Sequence, residues 1–405
     1  MEKAEAINKS YYKSTIDVFI TNLLLGIPGG MGLALLSRFI QESFLLNLAG
    51  GFAGSFTFLL MSFHVFTKGV CSPICGYYAD QKGRRFTVII GGIISIIGSF
   101  LTLISTFNII ICLIIGVILL GGGRGFFMTS FNIIAGDIGE KYGRIGHAES
   151  FCDGLYVIGA ILGGAIILFT EIYFLIFLFA LIFLIIAFFV LVFRIKETYS
   201  VEIQASSKEN VTLKSLIKQK NFFPTLLFAF TVEGAESGYI ATTLPLIVAS
   251  FAEINKASLF TTFPFSFGLG IFFLIAGFLN DRKGRKNTAL LGCGLMIIFS
   301  LLAAFFMISP LMIFLIIFLF SGSSSFIRST IESTWSDITD LKTRGKTYGY
   351  FRFFNELGGV VQPLIVTILL LFGLPYGWSA LLITIFAASS LIIGQKYFKE
   401  TLKQG

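Results

Sequence analysis

Charge is what this sequence has least of. Asp, Glu, Lys and Arg together make up 13% of its 405 residues. A soluble chain of this length needs far more charge to cover its surface, so a soluble globular fold is excluded. Histidine is nearly absent: only His64 and His147 occur, and no nucleophile–base set accompanies them. An enzyme that does covalent chemistry therefore has no candidate centre. No Gly-x-x-x-x-Gly-Lys-Ser/Thr loop is present, which leaves an ATP-driven pump without its phosphate cradle. The five cysteines, Cys71, Cys75, Cys112, Cys152 and Cys293, all lie inside apolar blocks. Cys71 and Cys75 are one helical turn apart, but no soft-ligand partners surround them. They read as small packing residues, not metal ligands, and no cofactor is implied. Alternating strands of about ten residues, the mark of an outer-membrane barrel, are missing. The first fifteen or so residues mix acids with lysines and do not resemble a cleaved signal peptide. The first membrane helix is expected to serve as an uncleaved insertion signal.

What the sequence has in abundance is hydrocarbon. Hydrophobic residues make up 55% of it, Phe alone numbers 48, and the mean hydropathy is +0.88. The apolar residues fall in blocks of about 20 or more, the length that crosses about 30 Å of hydrocarbon. Backbone groups in lipid must bond internally, so blocks this long predict helices. Twelve are expected, the first near 16–37, the second near 52–78, the seventh near 223–250 and the eleventh near 347–373. The fold class is an all-α membrane protein with twelve transmembrane helices.

Lys and Arg set the orientation. With the amino terminus in the cytoplasm, the cytoplasmic segments hold 24 of the 30 basic residues. The external side holds Arg38 and Lys256, and four more lie inside helices: Lys68, Arg124, Arg328 and Arg352. That asymmetry predicts both termini inside a plasma (cytoplasmic) membrane. It also accounts for the net charge of +8 without a nucleic-acid partner. The longest polar stretch, 196–221, reads as a linker, with a short amphipathic surface helix over 212–220. It divides the chain into 1–195 and 222–405.

The second half repeats the first about 200 residues later. After helix 2 the chain reads Gly76-Tyr-Tyr-Ala-Asp80-Gln-Lys-Gly83-Arg84-Arg85, and after helix 8 Gly277-Phe-Leu-Asn-Asp281-Arg-Lys-Gly284-Arg285-Lys286. Asp137 precedes Arg144 by the same spacing as Asp337 precedes Arg344. Arg124 and Arg328 occupy corresponding helices, and helices 6 and 12 end in Lys196-Glu197-Thr198 and Lys399-Glu400-Thr401. Four matches in register indicate a duplicated six-helix unit. In the repeated loop, Gly76 permits close approach of a neighbouring helix and Gly83 a tight turn. Asp80 stands at the membrane edge, where an anion can meet the positive amino end of another helix. Arg84 and Arg85 are within reach of Asp137 or Glu140.

This Gly-x-x-x-Asp-x-x-Gly-Arg-Arg/Lys loop, present in both halves, resembles the signature of the major facilitator superfamily. The resemblance covers essentially the whole chain. It implies two pseudo-symmetric six-helix bundles, each with inverted three-helix repeats, and a solute site near midplane between them. It also implies that Asp80 lies against helix 11 and latches the cytoplasmic side shut. Asp281, Arg285 and Asp337 would form a mirror latch against helix 5. The alternative is that these charges only anchor helix ends at the interface.

Ionisable residues within the membrane are functional candidates, because burying each costs at least about 2.5–3.5 kcal/mol. They are His64, Lys68, Arg124, Asp153, Glu233, Glu236, Arg328, Glu332, Arg352 and Glu356. Arg328 and Glu332 are four apart, as are Arg352 and Glu356, and such pairs can be structural. Lys68 sits deep in its helix and calls for a partner carboxylate. Asp153 can pair with Arg124 across the bundle or join a proton path. Glu233 and Glu236 share one face of helix 7 with no basic residue nearby in sequence, and Gly234 and Gly238 permit a bend there. Two carboxylates this close in low dielectric do not both ionise readily. A carboxyl that holds a proton can load it on one side and release it on the other, which makes this pair the leading coupling candidate. The alternative is a solvated pair that only attracts cations.

Helix 5 contains Gly159-Ala160-Ile-Leu-Gly163-Gly164. This resembles the Gly-Pro-x-x-Gly-Gly motif of proton-coupled drug exporters, with Ala160 in place of the proline; the glycines also fit close helix packing. The Asp-x6-Arg loops and Lys-Glu-Thr ends resemble the sugar porter family, in which a Glu usually replaces Asp137 and Asp337. That family places glutamines where helix 7 here has carboxylates. The resemblance implies a proton-coupled carrier of a small organic solute, either an exporter of amphipathic or cationic compounds or a symporter for a sugar or organic acid. An anionic solute would require Arg124 and Lys68 to be free of internal partners. Solute, protons and the bilayer are the expected partners, and the chain is expected to work as a monomer. A non-transporting membrane receptor is the remaining alternative.

Overall fold

The computed structural model describes residues 2–44, 50–141, 145–198, 215, 217, 218, 221–306, 309–339, 344–375 and 378–401. Within these, the side chains of residues 2–14, 33, 43, 44, 50–53, 139, 140, 145–151, 274, 281 and 336–338 are not described. Among the described residues there are twelve helical spans and no strand. The first half holds α1 (Glu2–Phe44), α2 (Gly50–Lys82), α3 (Arg84–Ser105), α4 (Ile110–Lys141), α5 (Ile145–Ile167) and α6 (Tyr173–Arg194). The second half opens with α7, built from an α-helical piece Phe222–Glu233, a π-helical piece Gly234–Thr243 and a short α-helix Leu244–Ala249. It continues with α8, whose main piece is Thr262–Lys283, then α9 (Arg285–Phe305), α10 (Pro310–Ile338), α11 (Arg344–Leu371) and α12 (Ser379–Tyr397). Ten of the spans are long and apolar enough to cross a membrane by length and composition.

Helix α1 begins at Glu2, well before the start expected near residue 16, so Asp17 lies inside it. Asp17 pairs with Arg194 at the end of α6, 3.3 Å away. The expected surface helix over 212–220 falls almost wholly outside the described residues.

The helices are inside-out relative to those of a soluble protein. On α6, Phe179, Ile182, Ile186, Phe189 and Phe193 form an exposed stripe. On α3 the exposed residues include Ile93, Ile97 and Phe100, while Gly91, Gly92, Ser95 and Ser99 are buried. Lipid solvates the large apolar side chains, so small residues pack between helices and let backbones approach. The glycine run of α5 does this against α1: a Cβ on Gly159 would lie 2.0 Å from the Leu23 carbonyl oxygen, and one on Gly163 2.0 Å from that of Ile27. The two halves meet mainly where α2 packs on α11, α1 on α7 and α5 on α8.

Candidate transport cavity and gate

The repeated loops build one end of the molecule. Gly83 and Gly284 both take positive φ, 99° and 88°, a conformation that favours glycine. This turns the chain sharply from α2 into α3 and from α8 into α9. The first amide groups of α3 have no intrahelical acceptor. The Glu197 carboxylate, at the end of the first half, accepts from the backbone N–H of Arg84 (2.9 Å) and of Arg85 (3.1 Å). Glu400 repeats this for Arg285 (3.0 Å) and Lys286 (3.1 Å). An anion at a helix amino end is also favoured by the helix dipole. The Lys-Glu-Thr repeat thus supplies caps for distant helices, a role sequence reasoning did not assign. The repeat itself was the available signal.

Beyond these caps the two loops differ. Asp80 accepts from the backbone N–H of Gly345 (3.1 Å) and Lys346 (2.9 Å), the amino end of α11 in the other half. Arg84 reaches Asp80 at 2.6 Å and Asp137 at 3.3 Å, and Asp137 reaches Arg344 at 3.0 Å. Arg84 and Arg344 are 0% and 1% exposed, so this is a buried network of two acids and two guanidinium groups. Removing one member of such a network strands a buried charge. Gly76 completes the contact, since a Cβ there would lie 2.1 Å from the Gly345 carbonyl oxygen. In the second loop, Arg285 donates to the Ser333 carbonyl (2.8 Å) and to Thr401 (3.1 Å), both in its own half. A Cβ on Gly277 would meet nothing within 4 Å, so the second loop has no close helix approach at this position. Arg144 lies outside the described residues, as do the side chains of Asp281 and Asp337. Arg85 and Lys286 play matching parts, donating to the carbonyls of Val192 (2.6 Å) and Gln395 (2.8 Å).

Between the halves lies a cavity of about 250 Å³ that brings together His64, Lys68, Arg124, Asp153, Glu233, Glu236, Arg328 and Arg352. Contacts between the halves bridge it on both sides. The Asp80–α11 contact closes one end. At the other, Arg38 donates to the Ala252 carbonyl (2.8 Å) and Thr262 to that of Gly30 (3.1 Å).

Two charge clusters line the cavity. In the first, Lys68 of α2 lies 3.2 Å from Glu233 and 2.7 Å from Glu356, and Arg352 lies 2.9 Å from Glu356. Asn355 (3.1 Å) and Ser237 also donate to Glu233. Two cations here face two carboxylates. In the second, Arg328 lies 2.5 Å from Glu236, 3.3 Å from Glu332 and 3.8 Å from Asp153. Ser324 donates to Glu236 at 2.5 Å.

These clusters revise the expected pairings. Glu233 and Glu236 have no cation nearby in sequence, yet each has one in space, and they turn to different ones. The π-helical piece that begins at Gly234 adds residues to the turn and separates the two directions. Gly238 makes room there for Gln362 of α11: a Cβ would lie 2.3 Å from its side-chain oxygen. Asp153 pairs with Arg328, not Arg124. The four-apart pairs Arg328–Glu332 and Arg352–Glu356 form, but each belongs to a larger cluster across helices. His64 donates its Nδ1–H to the Val117 carbonyl at 2.9 Å. That hydrogen bond ties α2 to α4.

The family model of the Major Facilitator Superfamily matches residues 18–252 and 226–404. The chain belongs to this superfamily of membrane transporters. Solved structures share its two-bundle fold. One is the xylose transporter XylE from E. coli in a partially occluded inward-open conformation (TM-score 0.78, 13% identity, 98% of this chain and 99% of that one). Another is FucP in the outward conformation (TM-score 0.69, 14% identity, 96% and 100%). A third is the human organic anion transporter MFSD10 (TM-score 0.67, 15% identity, 95% and 99%). At these identities the likeness is one of fold. No curated protein sequence matches the chain.

Proposed function

We propose that the chain is a secondary active transporter that moves a small organic solute by alternating access, with protons as the coupling ion. The observation that carries the proton reading is the second charge cluster. Asp153 and Glu236 come from different halves and share the single guanidinium of Arg328. Glu332 lies on the same guanidinium, so one positive charge faces three carboxylates in a low-dielectric wall, and a proton shared between Asp153 and Glu236 relieves the excess negative charge. Rocking the halves apart separates Asp153 from Arg328 and changes which carboxylate holds that proton. The first cluster is balanced without a proton and serves to hold α2 against α7 and α11. The division into bundles 1–195 and 222–405 with a linker at 196–221, both termini cytoplasmic in the plasma membrane, belongs to the same reading. It is supported by the 24 basic residues on one side. The gate built on Asp80 is then the cytoplasmic one. Export of cationic compounds is disfavoured, since Glu233, Glu236 and Glu356 each already face an internal cation.

The test is uptake and efflux of a solute panel in proteoliposomes under an imposed pH gradient. Glu236→Gln is expected to abolish pH-driven accumulation and to leave solute exchange in place. Transport that ignores the gradient in the unmodified protein would refute the proton reading. Loss of exchange together with accumulation would move Glu236 into solute binding.

A further inference from the structure

The cavity holds four cations, and three of them are matched. Lys68, Arg328 and Arg352 each lie within 3.8 Å of at least one carboxylate. Of the two cations expected to be free for an anionic solute, Lys68 is taken up by Glu233 and Glu356, but Arg124 has no hydrogen bond and no ion pair among the described residues, although it lines the cavity. A guanidinium in such a place is costly unless an anion meets it.

Gly29 of α1 lets the Tyr156 hydroxyl pack directly against the helix, because a Cβ there would lie 2.1 Å from that oxygen and 3.4 Å from Nη2 of Arg124. The hydroxyl and the guanidinium are therefore neighbours on one stretch of the cavity wall. Asn132, two helical turns beyond Arg124 on α4, also lines the cavity and has no partner among the described residues. On this side Met31, Met61, Phe127, Phe177 and Leu184 give an apolar stretch of wall, broken by the small hydroxyls of Ser95, Ser99 and Thr102 and by Asn22, whose amide donates to the Cys152 carbonyl. His64 adds no competing anion, and Asp153 is turned toward Arg328.

We infer that Arg124, with the Tyr156 hydroxyl beside it, anchors the carboxylate of a small amphipathic organic monoanion. The planar guanidinium fork matches a carboxylate through two parallel hydrogen bonds. The apolar wall takes the hydrocarbon remainder. A cavity of about 250 Å³ lies at the small end of ligand pockets, which suits an aromatic or medium-chain acid. The inference deepens the transport reading and rests on it for the anion's role as cargo. A carboxylate on Arg124 together with a proton on the Asp153–Glu236 pair would load the cavity with no net change in charge.

Binding to the purified full chain in lipid nanodiscs tests the site without requiring flux. The probes are radiolabelled octanoate and benzoate, with octanamide and benzamide as uncharged isosteres. The acids are expected to bind and the amides not to. Arg124→Gln is expected to weaken acid binding by about tenfold or more, and Arg124→Lys by less, because lysine keeps the charge and loses the fork. Tyr156→Phe gives a smaller loss and keeps the test open if Arg124→Gln does not fold. Amides that bind as well as acids, acid binding unchanged in Arg124→Gln, or no acid binding at all would overturn the inference. If a protein that fails these binding tests still moves neutral solutes with the pH gradient, the site alone is wrong. If Arg124-dependent binding occurs without flux in proteoliposomes, the transport reading is wrong and the site stands.

Discussion

The two repeated loops share their glycines, acid, basic residues and capping glutamate, yet they are anchored differently. The loop between α2 and α3 is docked into the other half through Asp80, Arg84 and Gly76. The described contacts of the loop between α8 and α9 stay in its own half, through Arg285 and Asn280, which donates to Ser329 at 2.8 Å. Ala79 stands in the first loop where Asn280 stands in the second. Duplication copied the local chemistry: a turn needs its positive-φ glycine and a helix amino end needs its anion wherever the chain lies. Among the described residues docking into the other half is seen for the first loop, and such docking depends on what the partner helix presents.

That contrast can be broken by paired substitutions. The largest difference is expected for Gly76→Val against Gly277→Val. The first forces α2 away from the Gly345 carbonyl, at an overpacking cost of about 1–3 kcal/mol. The second meets open space in the structure and is expected to cost less than about 0.5 kcal/mol. Thermal unfolding of the two variants, with cysteine accessibility from the loop face, would measure this, and equal losses would erase the asymmetry.

Next comes Asp80→Asn. It removes the charge that two α11 amides and Arg84 share but keeps an acceptor oxygen, so the expected loss is about 1.5–3 kcal/mol, the worth of hydrogen bonds to a charged group. The protein is expected to shift toward the form open at the loop face, seen as labelling of cysteines placed in the gate. Asp281→Asn is the control; a shift of the same size would show that both latches carry the closure, and no shift in Asp80→Asn would remove the gate altogether. The smallest effects belong to Glu197→Gln and Glu400→Gln. Each weakens one exposed cap by about 0.3–1 kcal/mol, and the two values should agree. Unequal values would mean that the local symmetry is also imperfect.

Much of this molecule was legible in one dimension. Lipid requires every backbone group to be bonded within its helix, so uninterrupted apolar blocks gave the span count, and the register of Gly83 with Gly284 gave the duplication. The candidate site was legible as a set of residues but not as a set of pairs. Lys68 plainly needed a carboxylate, but nothing in its neighbourhood indicates Glu233 and Glu356. Asp153 pairs with Arg328 because α5 meets the second half near α10, a contact that no local pattern encodes. The separation of Glu233 from Glu236 was hidden for another reason: their three-residue spacing assumes α-helical turns, and the π-helical stretch breaks that assumption. By itself, then, the sequence determined the helices, their number, the repeat and the chemistry of each turn, because these depend on interactions within a few residues or with solvent. Only the tertiary structure decided which buried charges meet, which loop locks the halves and which arginine is left facing the cavity. Electrostatic pairing acts through space, and its partners lie up to hundreds of residues apart along the chain.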